Sequence, residues 1–266
     1  MYQDIQQVIS LIKSAASEEL LPRFATAGQS IESQQKLDGS VVTEADLAMQ
    51  SRLVNELQNI YPDAVLLSEE MTVEQQQAML DADRPVWCLD PLDGTSNFAA
   101  GIPYYAVSLS LIHHHKVIMA IVYDPLRDEC FFADENTEAH LNQQVLNLSS
   151  SITELKRAIA IVDFKRLSKD LAARLATEQP FASQRNFGAS ALDWCWLAAK
   201  RGHVYLHGKQ NIWDYSAGQY IFEKAGGLSC TLEGEALFVN KLVGRSAVAA
   251  INPELMQSWK AWLGIK

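Results

Sequence analysis

The sequence predicts a mixed α/β protein made of two packed subdomains, residues 1–143 and 144–266. Three observations lead there. Two short apolar runs, AVLLSEE at 64–70 and PVWCLD at 85–90, read as buried strands that deliver a carboxylate at their C-terminal ends. Between Tyr104 and Ala133 the runs YYAVSLSLI, KVIMAIVYD and ECFFA follow one another with only turn-like breaks, as in an antiparallel meander. After residue 157, strands and helices alternate in α/β order.

The elements follow in turn. Ile5, Val8, Ile9, Ile12, Ala15 and Ala16 recur at helical spacing within 2–21, and Pro22 lies just past the helix end. Thr43-Glu44-Ala45-Asp46 has the form of a capping box and opens a second helix. Leu47, Leu53, Val54, Leu57 and Ile60 are its expected apolar stripe, and Pro62 closes it. In the second half, RAIAIVD (157–163) reads as a strand, SKDLAARLATE and ASALDWCWLAAKR as helices, HVYLH as a strand and WDYSAGQYIFEKA as a helix. A strand–helix pair ends the chain. The change of character falls near residues 140–152, around LNQQVLNLSSS.

Composition narrows the function classes. At 48% hydrophobic and 20% charged residues, the 266-residue chain reads as a globular protein that buries a core without help from metals or disulfides. A formal net charge of −10, from 22 basic and 32 acidic residues, weighs against non-specific binding to nucleic acid or to anionic membranes. If the substrate is an anion, local cations must receive it, and bound divalent metals would do so. Cys88, Cys130, Cys195 and Cys230 form no CxxC pair, which suits reduced thiols better than a disulfide framework or a zinc site. MYQDIQQ has neither a basic n-region nor an apolar run, and no long apolar stretch follows. Neither a signal peptide nor a membrane span is therefore expected, and the cytoplasm is the expected location.

The sharpest chemical feature is DPLDGTSNF at 90–98. Asp90 and Asp93 are close enough to repel unless a cation lies between them, and Gly94 and Thr95 offer backbone N–H groups suited to a phosphate oxygen. A hard metal held by carboxylates beside anion-binding amides is the provision phosphoryl transfer needs. The same residues also read as an ordinary acidic turn. Glu69 and Glu70 end a strand, where solvated carboxylates are common. Asp214 and Asp46 stand at helix starts, where the helix dipole favours acids. Singly, each acid has a structural explanation. Together they place carboxylates at strand ends and helix starts, where side chains converge on one cleft.

At these motifs the chain resembles the inositol monophosphatase family, within the wider lithium-sensitive, metal-dependent phosphatase superfamily. DGSVVTEAD (38–46), LLSEE (66–70), WCLDPLDGTSNFAAGIPYYAVSLSL (87–111) and NIWDYSAGQYIFEKAGG (211–227) carry the resemblance over nearly the whole length. It implies a layered αβαβα sandwich of the kind shared with fructose-1,6-bisphosphatases. It also implies a Mg²⁺-dependent phosphomonoesterase hydrolysing inositol 1-phosphate or a similar small phosphorylated alcohol by attack of a metal-activated water. Glu69, Asp90 and the backbone carbonyl of Leu92 would hold the first Mg²⁺, and Asp90, Asp93 and Asp214 a second, with Glu69 helping to bind a weaker third. Thr95, with Glu69 and with Asp46 acting through Thr43, would position and deprotonate the water, and the amides of Gly94 and Thr95 would hold the phosphate. Li⁺ would inhibit at the second metal position. Lys36 occupies a place where some relatives have a basic residue near the metals. A homodimer is expected from the resemblance alone.

Substrate choice is implied for the GASALD segment (188–193), with Gly188 and Ala189 at the alcohol, and for a residue several positions before Asp214. Inositol-specific relatives commonly have Glu at that last position, whereas this chain has His207 or Gly208. A neutral His offers one donor and one acceptor instead of an anion, so the change speaks against myo-inositol and leaves the phosphatase chemistry intact. TSNF after DPLDG, and Asp193, look like the inositol branch. A 3′(2′),5′-bisphosphate nucleotidase, a histidinol-phosphate phosphatase or a sugar bisphosphate phosphatase is the alternative enzyme. A regulatory protein acting through a partner in the transcription machinery is the alternative from another class.

Other residues read more plainly. His113-His114-His115 lies between two strands and reads as a solvated hairpin. Trp194, Trp196 and Trp213 read as core packing. Lys165, Arg166 and Lys169 form a small basic cluster that fits either an anionic substrate or a solvated face.

Overall fold

In the computed structural model, which describes residues 5–24, 33–35 and 41–266, the first predicted helix is α1 (Ile5–Glu19). Its buried face is Ile5, Val8, Ile9, Leu11, Ile12, Ala15 and Ala16. A 3₁₀ turn at Leu21–Arg23 carries Pro22. Strands β1 (Ser33–Gln35) and β2 (Val41–Thr43) pair antiparallel, and helix α2 (Glu44–Ile60) follows. The predicted capping box opens α2, with the Thr43 N–H donating to Asp46 Oδ2 at 2.8 Å. One expectation needs correction. Leu47 is 54% exposed, and the buried stripe is Ala45, Asp46, Met49, Leu53 and Leu57. A residue one step along a helix from Asp46 turns by about 100°, which carries Leu47 out of the stripe.

The first sheet has seven strands in the order β3 (Val65–Ser68), β4 (Val86–Asp93), β5 (Ala106–His113), β6 (Lys116–Asp124), β7 (Glu129–Asp134), β8 (His140–Leu141) and β9 (Gln144–Val145). Strands β5 to β7 are the predicted meander, and the pairings from β4 through β7 are antiparallel. Only β3 and β4 run parallel, and they are joined by helix α3 (Val73–Leu80), which was not expected from the sequence. Its signal was present: Thr72 Oγ1 accepts from the Gln75 N–H and Gln75 Oε1 accepts from the Thr72 N–H, a second capping box. The short helix α4 (Thr95–Ala99) follows β4.

The second sheet has five strands: β10 (Ile159–Asp163), β11 (Ser183–Arg185), β12 (Val204–Gln210), β13 (Leu228–Cys230) and β14 (Arg245–Ala250), in the order β11-β10-β12-β14-β13. Its helices are α5 (Lys169–Thr177), α6 (Ser190–Ala198), α7 (Ile212–Lys224) and α8 (Pro253–Leu263). β10, β11 and β12 are parallel, as α/β order requires, while β14 is antiparallel to both its neighbours.

Alternation along the strands sorts the chain into layers. Trp87, Leu89, Val107, Leu109 and Leu111 face α1 and α2, whereas Cys88, Ala106 and Ile112 face α6 and α7. Helices α6 and α7 lie between the two sheets, and α8 covers the far side of the second with α5 beside it, where Arg174 stacks on Trp262. The result is the expected αβαβα sandwich. Small residues let the middle layer approach closely: Ser110 Oγ meets Ser216 Oγ at 2.8 Å, and Ser108 Oγ donates to the Trp213 carbonyl at 3.2 Å. No helix among the described residues is long and apolar enough to cross a membrane.

Gly218 marks the tightest point between α6 and α7. A Cβ there would lie 2.6 Å from Trp194 Cβ and 2.9 Å from the Ala191 carbonyl oxygen. Gly218→Ala is expected to cost roughly 1–3 kcal/mol through overpacking, read as a lower midpoint in urea at unchanged slope. An unaltered midpoint would contradict this packing.

Candidate active site

The ends of β3 and β4, the start of α4, the β10–α5 loop, the α6 entrance, the end of β12 and the start of α7 surround one cleft of about 300 Å³. Glu69, Asp90, Leu92, Asp93, Gly94, Thr95, Gly188, His207 and Asp214, all named from the sequence, line it. Ala189 lies behind it, buried, with its Cβ 3.0 Å from where a Gly94 Cβ would be. Lys36 and the first residues of DGSVVTEAD lie outside the described residues.

Local structure explains each placement. Strand β4 is buried on both faces, and its pairing with β5 shifts between Asp90 and Asp93. That irregularity lets two acids three residues apart share one cleft instead of following strict alternation. The Leu92 side chain is fully buried in the α1–α2 core and anchors the bulge, while its carbonyl accepts from Thr95 Oγ1 at 2.9 Å. Gly94 has φ 92°, and a Cβ would press on the Tyr104 carbonyl at 3.0 Å, so this turn needs glycine. Glu69 follows β3 in a turn held by Gln76, whose Nε2 donates to the Ser68 carbonyl at 2.9 Å. Gln76 was not singled out by the sequence, because only the fold brings α3 under this turn.

Backbone amides orient three of the acids. The Leu92 N–H donates to Asp90 Oδ1 at 3.0 Å, the Ala191 N–H to Asp93 Oδ2 at 2.6 Å and the Asn211 N–H to Asp214 Oδ2 at 2.7 Å. Their charges are costly nonetheless. Burial, then the charges of Glu69, Asp93 and Asp214, push the Asp90 carboxyl well above its ordinary range. Burial foremost, with Glu69 and against amide bonds from Ala191, Ser190 and Gly94, raises Asp93 to about 7. Asp214 is raised well above the ordinary value by burial, then by Glu69 and Asp93.

Hard oxygen donors with this much mutual repulsion match a divalent cation in charge and chemistry. Among the described residues no three His, Cys, Asp or Glu side chains already form a closed metal cage. The fit is one of donor type and charge, and the carboxylates must draw together to close on an ion.

Asp46 reaches Thr95 by a more direct route than expected. Its Oδ1 accepts directly from Thr95 Oγ1 at 3.0 Å, while Oδ2 accepts from Thr43 Oγ1 at 2.6 Å. Asp46 therefore reaches Thr95 itself, and Thr43 steadies the opposite oxygen. Burial raises the Asp46 carboxyl, against the Thr43 and Thr95 hydrogen bonds.

Asp193 does not face the cleft as expected. It is buried beneath it and accepts from the Tyr104 hydroxyl at 2.9 Å. Asn97 donates to the Tyr104 and Phe187 carbonyls, both at 2.8 Å, and so ties α4 to the segment that presents Gly188. Trp194 is fully buried, Trp213 nearly so, and Trp196 packs edge-on to Tyr104. His114 and His115 form the β5–β6 turn with positive φ, as a solvated hairpin does. Ser96, Asp163, Lys165, Arg166, Ser190, Lys209 and Asn211 complete the lining; of the basic cluster, Lys169 opens α5 and does not line the cleft.

His207 is buried, with Nδ1 accepting from the Lys209 N–H at 3.2 Å and Nε2 3.6 Å from Asp163 Oδ2. Burial lowers its pKa from 6.5 to about 4, with Asp163 opposing and Arg166 reinforcing. The ring is neutral at pH 7. The depressed folded value means that this contribution to stability is full above 6.5 and is lost as pH falls through about 4. His207→Gln is expected to flatten the loss of thermal stability across that window, on the order of 1–3 kcal/mol. Identical acid limbs for variant and wild type would show that His207 is not buried neutral.

The chain matches the sequence model of the inositol monophosphatase family over residues 1–262. A Nus factor SuhB from Haemophilus influenzae is 30% identical over 239 residues, 88% of each chain. Inositol monophosphatase 1 from Solanum lycopersicum is 30% identical over 226 residues, 82% of this chain and 81% of its own. A solved IMPase/NADP phosphatase, complexed with Mg²⁺ and phosphate, has the same fold at a TM-score of 0.80 and 22% identity, covering 96% of this chain and 94% of its own.

Proposed function

We propose that this chain, which belongs to the inositol monophosphatase family over residues 1–262, hydrolyses the phosphomonoester of a small phosphorylated alcohol with the help of Mg²⁺. The observation that carries the reading is the gathering of Glu69, Asp90, Asp93 and Asp214 on one cleft, with the Thr95–Asp46 pair at its edge. The Mg²⁺ and phosphate named for the structural neighbour support the choice of ion. Glu69, Asp90 and the Leu92 carbonyl would hold one ion, and Asp90, Asp93 and Asp214 another. Bound Mg²⁺ supplies charge neutralisation at the phosphoryl oxygens and makes a water easier to deprotonate.

The chain's own residues do the rest. The Thr95 and Gly94 amides orient the phosphate, the latter beside its hydrogen bond to Asp93. Thr95 Oγ1 accepts the proton of the attacking water and passes its own to Asp46 Oδ1, 3.0 Å away. The raised pKa of Asp46 makes it a readier acceptor, and Thr43 keeps it aligned. Neutral His207, where inositol-specific relatives carry Glu, disfavours an alcohol recognised by an anion. Four buried free cysteines fit a reducing cytoplasm, and a homodimer belongs to the same reading.

A second reading rests on the name Nus factor carried by the Haemophilus relative: the chain acts through a regulatory partner. An Asp93→Asn variant that loses turnover but rescues a deletion phenotype would favour it.

Two outcomes test the enzyme. Phosphate release should require Mg²⁺ at around millimolar concentration, stop in excess chelator and fall with millimolar Li⁺; turnover that persists in chelator would refute it. Thr95→Ala should lower kcat by about 10²-fold with KM little changed, and Thr95→Ser should restore most of it. Equal kcat for Ala and wild type would remove Thr95 from the proton path.

A further inference from the structure

We propose that the substrate carries a second phosphate and that Lys165, Arg166 and Lys209 receive it. The inference rests on the phosphomonoesterase reading of the same cleft and narrows its substrate to bisphosphorylated alcohols.

The lining carries both signs: Glu69, Asp90, Asp93 and Asp214 come from the ends of β3 and β4 and the start of α7, whereas Lys165, Arg166 and Lys209 come from the β10–α5 loop and β12, with Asp163 at the end of β10. The cationic group is assembled by backbone contact. A Cβ on Gly208 would lie 1.9 Å from the Arg166 carbonyl oxygen and 2.7 Å from the Leu167 nitrogen. Only glycine lets the β10–α5 loop lie directly on β12, which brings Lys165 and Arg166 beside Lys209. Asp163 fixes the loop from below: Oδ1 accepts from the Lys165 N–H at 2.7 Å, and Oδ2 faces His207.

None of these three basic side chains takes part in an ion pair among the described residues, whereas Arg201 pairs with Glu129 and Arg127 with Asp124. In a chain of net charge −10, three uncommitted cations from the β10–α5 loop and β12 are a local reversal of sign. The phosphate being cleaved does not need them, since Mg²⁺ held by Glu69, Asp90, Asp93 and Asp214 would neutralise it. His207 adds no carboxylate to that end of the cleft, where the acid in the lining, Asp163, turns its Oδ2 to His207 at 3.6 Å. Guanidinium and ammonium groups together are the usual receptor for a phosphate dianion.

The test compares matched pairs with Mg²⁺: fructose 1,6-bisphosphate against fructose 1-phosphate, and adenosine 3′,5′-bisphosphate against adenosine 3′-phosphate. One pair identifies a sugar and the other a nucleotide. The wild type should prefer the bisphosphate of at least one pair by about tenfold or more in kcat/KM. The combined Lys165→Gln, Arg166→Gln, Lys209→Gln variant should bring that ratio close to one, through KM. Calorimetric titration of the same probes into Thr95→Ala, with and without the three substitutions, gives the ratio as a binding constant without turnover. A bisphosphate preference of one in both pairs, or a variant that weakens both members equally, would overturn the inference and reduce the cations to general steering. Loss of the phosphatase reading looks different: no phosphate is released from any probe, while the calorimetric ratio still decides whether the second-phosphate site exists.

Discussion

Four carboxylates in one cleft repel one another, and burial makes that repulsion expensive. Asp90, Asp93 and Asp214 are all pushed up by desolvation first and by neighbouring charge after it. Much of the surrounding structure resists that force. Amides of Leu92, Ala191 and Asn211 aim the carboxylates inward, and each amide is fixed by a different element. The sandwich is what brings those elements together: β4 belongs to the first sheet, while α6 and α7 lie between the sheets.

The site therefore depends on packing some distance from it. Leu92 pins the bulge from the opposite core, and small side chains on β5 let α7 approach the sheet, which puts Asp214 on the same cleft as Asp93. Gly94 permits a turn in which Thr95 reaches both the Leu92 carbonyl and Asp46. A larger residue at any of these points would separate the acids by moving backbone, with no change to the acids themselves.

Much of this was legible in the sequence because it is local. The capping box at Thr43 and Asp46, the meander from Tyr104 to Ala133 and the acids at strand ends all depend on near neighbours. One miss is a matter of helix phase and the others are long-range. Leu47 looked like core until Asp46 and Met49 set the helix phase. Asp193 looked substrate-facing until Tyr104, 89 residues away in sequence, covered it. Lys169 looked like part of the basic cluster, but Lys209, brought in by β12, takes that place in the cleft. Nothing in the sequence around Gly208 announces that another loop rests on it.

The central claim is that this carboxylate set holds a divalent ion. Crystals grown with Mn²⁺ in place of Mg²⁺ and measured near the manganese absorption edge test it directly. The account predicts an anomalous peak in this cleft, where Glu69, Asp90, the Leu92 carbonyl, Asp93 and Asp214 would hold the ion. It also predicts loss of that peak in Asp90→Asn. A cleft without anomalous density at millimolar Mn²⁺, or a peak that survives Asp90→Asn unchanged, would contradict it.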